Sequence, residues 1–185
     1  MFVSETELHV WHAHLDAPGW SDVDDLPAAE RERAGRIVRP AARRRWISAR
    51  WALRGVLGRY LEREPARIKL RLGARGKPLL AAGKESLRFN LSHSGDLALI
   101  AVADGLEVGV DAQGIGTRPP EFYAAWTRHE AIAKCHGVGL GAPLPDTPVA
   151  VSTLEAGASF AAAIAVCGDE LPPTRHLVAE PDTAQ

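Results

Sequence analysis

Apolar positions along this chain recur with a period of two in some stretches and near the helical repeat in others, so strands and helices are both expected. Leu8–Leu15 has strand character centred on Val10 and Trp11, and Pro18–Asp25 reads as a loop. Pro27 opens a helical stretch to Val38, since proline suits a first helical turn whose N–H groups lack partners anyway. Pro40 restarts a longer helix to about Glu62, with Trp46, Ile47, Leu53, Val56, Leu57 and Leu61 as its apolar stripe. Gly55 and Gly58 weaken that helix. Ile68, Leu70 and Leu72 alternate with charged residues as in a half-buried strand, and Gly73–Gly76 is a turn. Leu97–Ala103 and Glu107–Asp111 read as a hairpin joined at Asp104-Gly105, a favoured turn dipeptide. Thr127–His136 reads as a helix, Phe160–Cys167 as the last strand, and the Pro- and acid-rich tail from Gly168 is expected to fray. Leu99–Gly105 is echoed by the similar stretch Ala163–Asp169, one echo being too little for a repeat.

The chain of 185 residues is long enough for one compact domain or two small packed lobes. No apolar run approaches the length of a membrane span, and Met1–Trp20 lacks a charged start followed by an apolar core, so no signal peptide is expected. Cys135 and Cys167 are too few for a disulfide framework and read as reduced cysteines of a cytoplasmic protein. The net charge of −1 conceals an asymmetry, because residues 30–77 hold 16 of the 22 basic residues and only 4 of the 23 acidic ones. Such a segment attracts polyanions, although a solvated arginine-rich helix face explains most of these arginines.

Asp111 ends a strand of small and β-branched residues, where a carboxylate can ligate a hard cation or merely start the turn into Gly114. Glu130 and Lys134 share a helix face, as an ion pair or as part of a site. Thr127 and Glu130 also match a capping box, which would give Glu130 a purely structural task. His93 lies between Ser92 and Ser94, and a Ser–His hydrolase fails because neighbours on an extended chain point to opposite faces. His9, His12 and His14 invite a zinc site, but no further ligand has zinc spacing, so a histidine-decorated edge strand is favoured. Trp46, Trp51 and Tyr60 stand at helical spacing among arginines and read as core aromatics rather than base-stacking groups. A histidine, two acids and a lysine in this order suit metal-assisted phosphate chemistry.

Four blocks in order carry a resemblance over most of the chain: Gly76-Lys77-Pro78, Phe89–Ser94, Val108–Asp111, and Trp126–Lys134 followed by Gly137-Val138-Gly139-Leu140. Together they resemble the 4′-phosphopantetheinyl transferases of the surfactin-synthetase-activating type. The resemblance implies an α+β fold of two similar α/β lobes packed as a pseudo-dimer, here residues 1–103 and an abbreviated 104–170, followed by a flexible tail over 171–185. It implies magnesium-dependent transfer of the 4′-phosphopantetheine arm of coenzyme A to a serine of an acyl or peptidyl carrier protein. Adenosine 3′,5′-bisphosphate is the other product. Asp111, Glu130 and Gln113 are then the Mg²⁺ residues, with Asp111, Glu130 and Lys134 catalytic. Glu130 helps deprotonate the carrier serine and Lys134 contacts the phosphate and aids the leaving group. Ser92 and His93 cradle the coenzyme A phosphates, Lys77 adds a cation, and Arg45, with Arg43 and Arg44 as equally placed substitutes, contacts the 3′-phosphate. No nucleic-acid or membrane partner is implied, and a monomer is expected.

The chain departs from the family pattern in having Asp111-Ala112-Gln113 where Asp-x-Glu is usual and His129 where Lys is usual. The stretch between Asp111 and Glu130 is short, and a helix near the carrier surface is expected to be missing there. Residues 140–160 look similarly abbreviated. A relative that binds coenzyme A or a carrier without transfer is the second reading. A nucleic-acid-binding module built on residues 30–77 is the third, expected to show steep salt dependence.

Overall fold

A computed structural model describes residues 1–4, 7–73, 76–139 and 142–181. Residues 74–75 of the expected turn, Leu140 and residues 182–185 of the expected tail lie outside the described residues. The strands are β1 (Leu8–His14), β2 (Leu70–Leu72), β3 (Pro78–Leu80), β4 (Leu87–Ser94), β5 (Leu97–Asp104), β6 (Val108–Gly114), β7 (Val149–Leu154), β8 (Phe160–Cys167) and β9 (Thr174–Val178). The helices are α1 (Ala28–Gly35), α2 (Pro40–Leu61) and α3 (Pro120–Cys135). The class is mixed α and β, as expected.

Two sheets lie between two helices. The first has the order β4-β5-β1-β9 and the second β6-β8-β7, while β2 and β3 form a separate pair. Period-two alternation decides what each face meets. Trp11, Ala13, Phe89, Ile100 and Val102 turn one face of the first sheet toward Ala49, Leu53, Val56, Leu57 and Tyr60 of α2. Leu8, Val10, Leu99 and Ala101 turn the other face toward Val108, Val110, Ala112, Ile164 and Val166 of the second sheet. Beyond that sheet, Ala163 and Ala165 receive Ala131 and Cys135 of α3. The echoed stretches occupy equivalent places, β5 and β8 each being an interior strand of its sheet.

Four expectations are corrected. Asp104-Gly105 does not join a hairpin: β5 pairs with β1 and β4, whereas β6 pairs with β8, so the turn carries the chain between sheets. The hairpin is β4–β5, closed at Gly95-Asp96 with Ser94 opposite Leu97, and Gly95 supplies the positive φ of 56°. Thr127 does not cap a helix, because α3 begins at Pro120 and Thr127 is buried mid-helix with Oγ1 donating to the Ala124 carbonyl at 3.2 Å. Within the stretch read as a flexible tail, Thr174–Val178 forms β9 parallel to β1, whose backbone groups on that side would otherwise lack partners. Helix α1 covers only Ala28–Gly35, short of the expected Val38. Helix α2 has the expected extent and runs unbroken through Gly55 and Gly58 because its packed face outweighs their intrinsic cost.

No backbone ladder joins β4 to β6. Their connection is made by side chains, with Val110 N–H donating to Asn90 Oδ1 at 2.9 Å, Ala112 N–H to Ser92 Oγ at 3.2 Å and Gly114 N–H to Ser94 Oγ at 2.9 Å. Alternate residues of β4 thereby satisfy alternate donors along the edge of the second sheet. Asn90→Ala should lower stability by about 1–3 kcal/mol, because the buried Val110 N–H loses its acceptor. Urea unfolding with an unchanged m-value is the measurement; a shift within error would show that another group replaces the amide.

Candidate active site

Alternation along β6 sends Val108, Val110 and Ala112 into the core and leaves Gly109, Asp111 and Gln113 on the side of α3. Gly109 sets the separation. A Cβ at that position would stand 2.0 Å from the Ala131 carbonyl oxygen and 2.4 Å from the Cys135 nitrogen, so α3 lies directly on the strand. One turn on, Lys134 reaches across β6. Its Nζ donates to Asp111 Oδ1 at 2.5 Å, Ser92 Oγ at 3.1 Å and the Val110 carbonyl at 3.2 Å. Ser92 donates to Asp111 Oδ1 at 2.8 Å while accepting from Ala112 N–H, so one hydroxyl serves both the sheet junction and the charged cluster.

Glu130 is treated differently. Its Oε1 is buried without a hydrogen-bond partner. Burial, and then the nearby Asp111 carboxylate, raise its pKa above the ordinary glutamate value, with Lys134 and His129 opposing. A carboxylate oxygen held out of water beside a second carboxylate is an arrangement that a divalent cation would relieve. Among the described residues no group of three or more His, Cys, Asp and Glu could hold a metal. Two carboxylates and the Gln113 amide nevertheless suit Mg²⁺, which keeps several waters and takes further oxygens from phosphate.

Asp111, Gln113, Glu130, Lys134, Ser92 and His93 line one cleft of about 410 Å³. His93 is open to solvent on the wall, on the opposite side of β4 from buried Ser92, as the extended chain requires. Although one edge of the ring meets solvent, partial burial of the imidazole in the cleft, and then the cations Arg50 and Lys134, hold His93 below the usual histidine pKa. Two expected residues stand elsewhere. Arg45 makes a two-pronged pair with Asp16 at 2.9 and 2.6 Å and does not line the cleft. Lys77 turns its Nζ to the carbonyls of Lys134 (3.1 Å) and Val108 (3.4 Å), tying down the end of α3, while its neighbours Gly76 and Pro78 form the cleft wall.

Sequence reasoning missed Arg33, Trp46 and Arg50, which complete the wall opposite α3. Arg50 is 7% exposed, stacks on Trp46 with its guanidinium 5.1 Å from the ring centroid, and stands 3.5 Å from Glu30. Its Nε is a buried donor without a hydrogen-bond partner. The available signal was the four-residue step from Trp46 to Arg50, which places both on one helix face. Many arginines nearby hid it. A larger groove of about 730 Å³ lies along α2 between Trp20 and Trp51 and contains none of these residues. No helix among the described residues is long and apolar enough to cross a membrane.

The raised Glu130 pKa has a sign that can be tested. A carboxyl whose folded-state pKa is raised binds its proton more tightly in the folded than in the unfolded protein. Its contribution to stability is complete below the unfolded value and lost as pH rises through the folded value. At neutral pH, ionised Glu130 therefore opposes folding in metal-free buffer, and Glu130→Gln should raise the unfolding midpoint. The gain should vanish near pH ~4, where the parent carboxyl is itself protonated. A lower midpoint for the variant at neutral pH would assign Glu130 a stabilising structural contact.

Comparison with known proteins gives the site its setting. Residues 16–104 match the family model for the N-terminal part of 4′-phosphopantetheinyl transferases, a stretch that includes Arg50, Gly76–Pro78, Ser92 and His93. The 4′-phosphopantetheinyl transferase HetI of Nostoc sp. is 34% identical over 182 residues, covering 80% of this chain and 76% of the relative. The 4′-phosphopantetheinyl transferase AcpT of Salmonella typhi is 33% identical over 139 residues, covering 60% of this chain and 67% of the relative. The human L-aminoadipate-semialdehyde dehydrogenase-phosphopantetheinyl transferase is 27% identical over 156 residues, covering 64% of this chain and 50% of the relative. Because HetI is 34% identical over 80% of this chain and 76% of its own length, and residues 16–104 match the family model, the chain belongs to the 4′-phosphopantetheinyl transferases, a family of transferases.

Proposed function

We propose that this protein transfers the phosphopantetheine arm of coenzyme A to a serine of an acyl or peptidyl carrier protein, releasing adenosine 3′,5′-bisphosphate, in a Mg²⁺-dependent reaction. The observation that carries this reading is the unpaired, buried Glu130 oxygen facing Asp111 and Lys134 in a cleft whose other wall holds Arg33 and Arg50. One wall suits a cation and a proton acceptor; the other suits phosphates. The chain is read as a shortened member of the surfactin-synthetase-activating type, with α2 on the first sheet and α3 on the second as two similar lobes. It is read as a cytoplasmic monomer.

The residues divide the work. Arg50 and Arg33 offer guanidinium groups to the phosphates of coenzyme A, with His93 and the Gly76–Pro78 wall beside them. Asp111 and Glu130, with Gln113 next to them, are the residues that would hold Mg²⁺, whose charge offsets that of the pyrophosphate. Glu130 Oε1, left without a hydrogen-bond partner, is the carboxylate oxygen free to accept the proton of the incoming serine hydroxyl. As the serine oxygen bonds to phosphorus and the pyrophosphate bridge breaks, Lys134 neutralises charge gathering on the departing bisphosphate.

The deciding experiment is a mass spectrum of apo acyl and peptidyl carrier proteins after incubation with the protein, coenzyme A and Mg²⁺. A gain of the phosphopantetheine mass is expected, and no gain on any carrier would favour a relative that binds without transfer. Asp111→Ala and Glu130→Ala should each reduce transfer by about 10²-fold or more with the fold retained. Arg50→Ala should weaken coenzyme A binding by about tenfold to a hundredfold. Arg45→Ala should leave binding unchanged in calorimetry, because its guanidinium is already engaged by Asp16. Gln113→Glu should lower the Mg²⁺ concentration for half-maximal transfer, since a carboxylate replaces a dipole.

A further inference from the structure

The two cysteines lie far apart in the sequence and meet at the end of α3. Cys135 is the last residue of that helix and Cys167 the last of β8, and their Sγ atoms are 2.6 Å apart as free thiols. Two independent contacts hold them there. The Glu107 carbonyl accepts a hydrogen bond from Cys135 Sγ at 3.1 Å and one from the Cys167 backbone N–H at 3.0 Å. The close seat of α3 on Gly109 fixes the helix backbone at Cys135 itself. Neither sulfur takes part in the cleft described above.

We propose that Cys135 and Cys167 are a redox-active dithiol that closes an intramolecular disulfide by exchange with a low-molecular-weight disulfide such as glutathione disulfide. The geometry is prepared for it. Sulfurs already in contact need only a small approach to bond, and backbone anchors have settled the entropy of bringing them together.

The two thiols have unequal tasks. Cys135 is buried at 1% exposure, and burial followed by its contact with Cys167 pushes its thiol pKa up, so it is slow to react with reagents in solution. Cys167 is partly exposed, with His136 Nδ1 3.7 Å from its sulfur as a nearby proton acceptor. The Cys167 thiolate attacks one sulfur of glutathione disulfide. A bond forms from Cys167 Sγ to that sulfur, the glutathione disulfide bond breaks, and one glutathione leaves as thiolate and takes up a proton. Cys135 Sγ then attacks Cys167 Sγ, loses its proton, and expels the second glutathione. Two electrons and two protons pass from the protein to two glutathione molecules.

The product ties the end of α3 to β8 and closes residues 135–167 into a loop that contains β7. A cross-link of this size should raise the unfolding midpoint by about 5–10 °C by restricting the unfolded chain. The bond would also pin the helical turn that carries Lys134.

The test is equilibration of the whole protein in glutathione redox buffers, acid quench, and intact mass with thiol alkylation under denaturing conditions. Oxidising buffers should yield protein lighter by two hydrogen atoms, with no alkylatable thiol and no retained glutathione, and with a raised unfolding midpoint that dithiothreitol reverses. Cys135→Ser should instead accumulate one glutathione on Cys167, and Cys167→Ser should take up little because Cys135 is buried. Two alkylatable thiols at every buffer ratio would overturn the proposal, as would a persistent glutathione adduct or a disulfide between two chains in the parent protein. The parent measurements need no variant to fold. None of the readouts uses transfer activity, so the dithiol and the proposed enzymatic function fail or succeed separately.

Discussion

Asn90, Ser92 and Ser94 hold the edge of one sheet against the edge of another, and the remaining architecture depends on that junction. Strand β6 is an edge strand whose N–H groups would be costly if buried without acceptors. An ordinary backbone ladder would have merged the sheets and forced β4 and β6 into one plane. Side-chain acceptors on alternate residues of β4 satisfy the same donors while letting the second sheet turn its apolar face onto Leu8, Val10, Leu99 and Ala101. The stack of helix, sheet, sheet and helix follows from that choice.

The candidate site grows from the same junction. Ser92 accepts from β6 and donates to Asp111, so the residue that joins the sheets also orients the carboxylate. On the other side, Gly109 admits α3 so closely that Lys134 reaches Asp111, Ser92 and the Val110 carbonyl together. Asp111 is thus amply partnered and Glu130 is not. This inequality between two neighbouring carboxylates is what the proposed chemistry uses: one acid is held by donors, and the other keeps a buried oxygen without a partner.

The arginine-rich segment shows how net charge misleads when read linearly. Arg54, 1% exposed, spends its guanidinium on Glu30 and on the carbonyls of Ile68 and Pro65, fastening α1 and the segment after α2 to the helix. Arg45 is engaged by Asp16. Arg50 shares Glu30 at a longer distance, its Nε standing 3.5 Å from that carboxylate, and lines the cleft. Position relative to Glu30 and Trp46, more than abundance, separates a fastening arginine from one available to a phosphate.

Local pattern by itself determined β1, α2 and β8 nearly to the residue, because their apolar periods are long and uninterrupted and because Pro40 marks a helix start. Motif order pointed to Ser92, His93, Asp111, Glu130 and Lys134, since residues in one family block keep their spacing wherever the block folds. Tertiary structure decided the rest. Asp104-Gly105 is a good turn dipeptide in either of two topologies, and only the side-chain ladder from β4 to β6 selects the one that changes sheets. Three neighbouring arginines at 43–45 looked interchangeable, yet Asp16, 29 residues before Arg45, removes it from the cleft while Trp46 and Glu30 aim Arg50 into it. Cys135 and Cys167, 32 residues apart, carried no sign of contact in the sequence, because their meeting depends on Glu107 offering one carbonyl to both. Periodicity and motif spacing are local properties and survive in one dimension. Pairing across sheets and the satisfaction of charges and buried donors are settled only when distant segments are brought together.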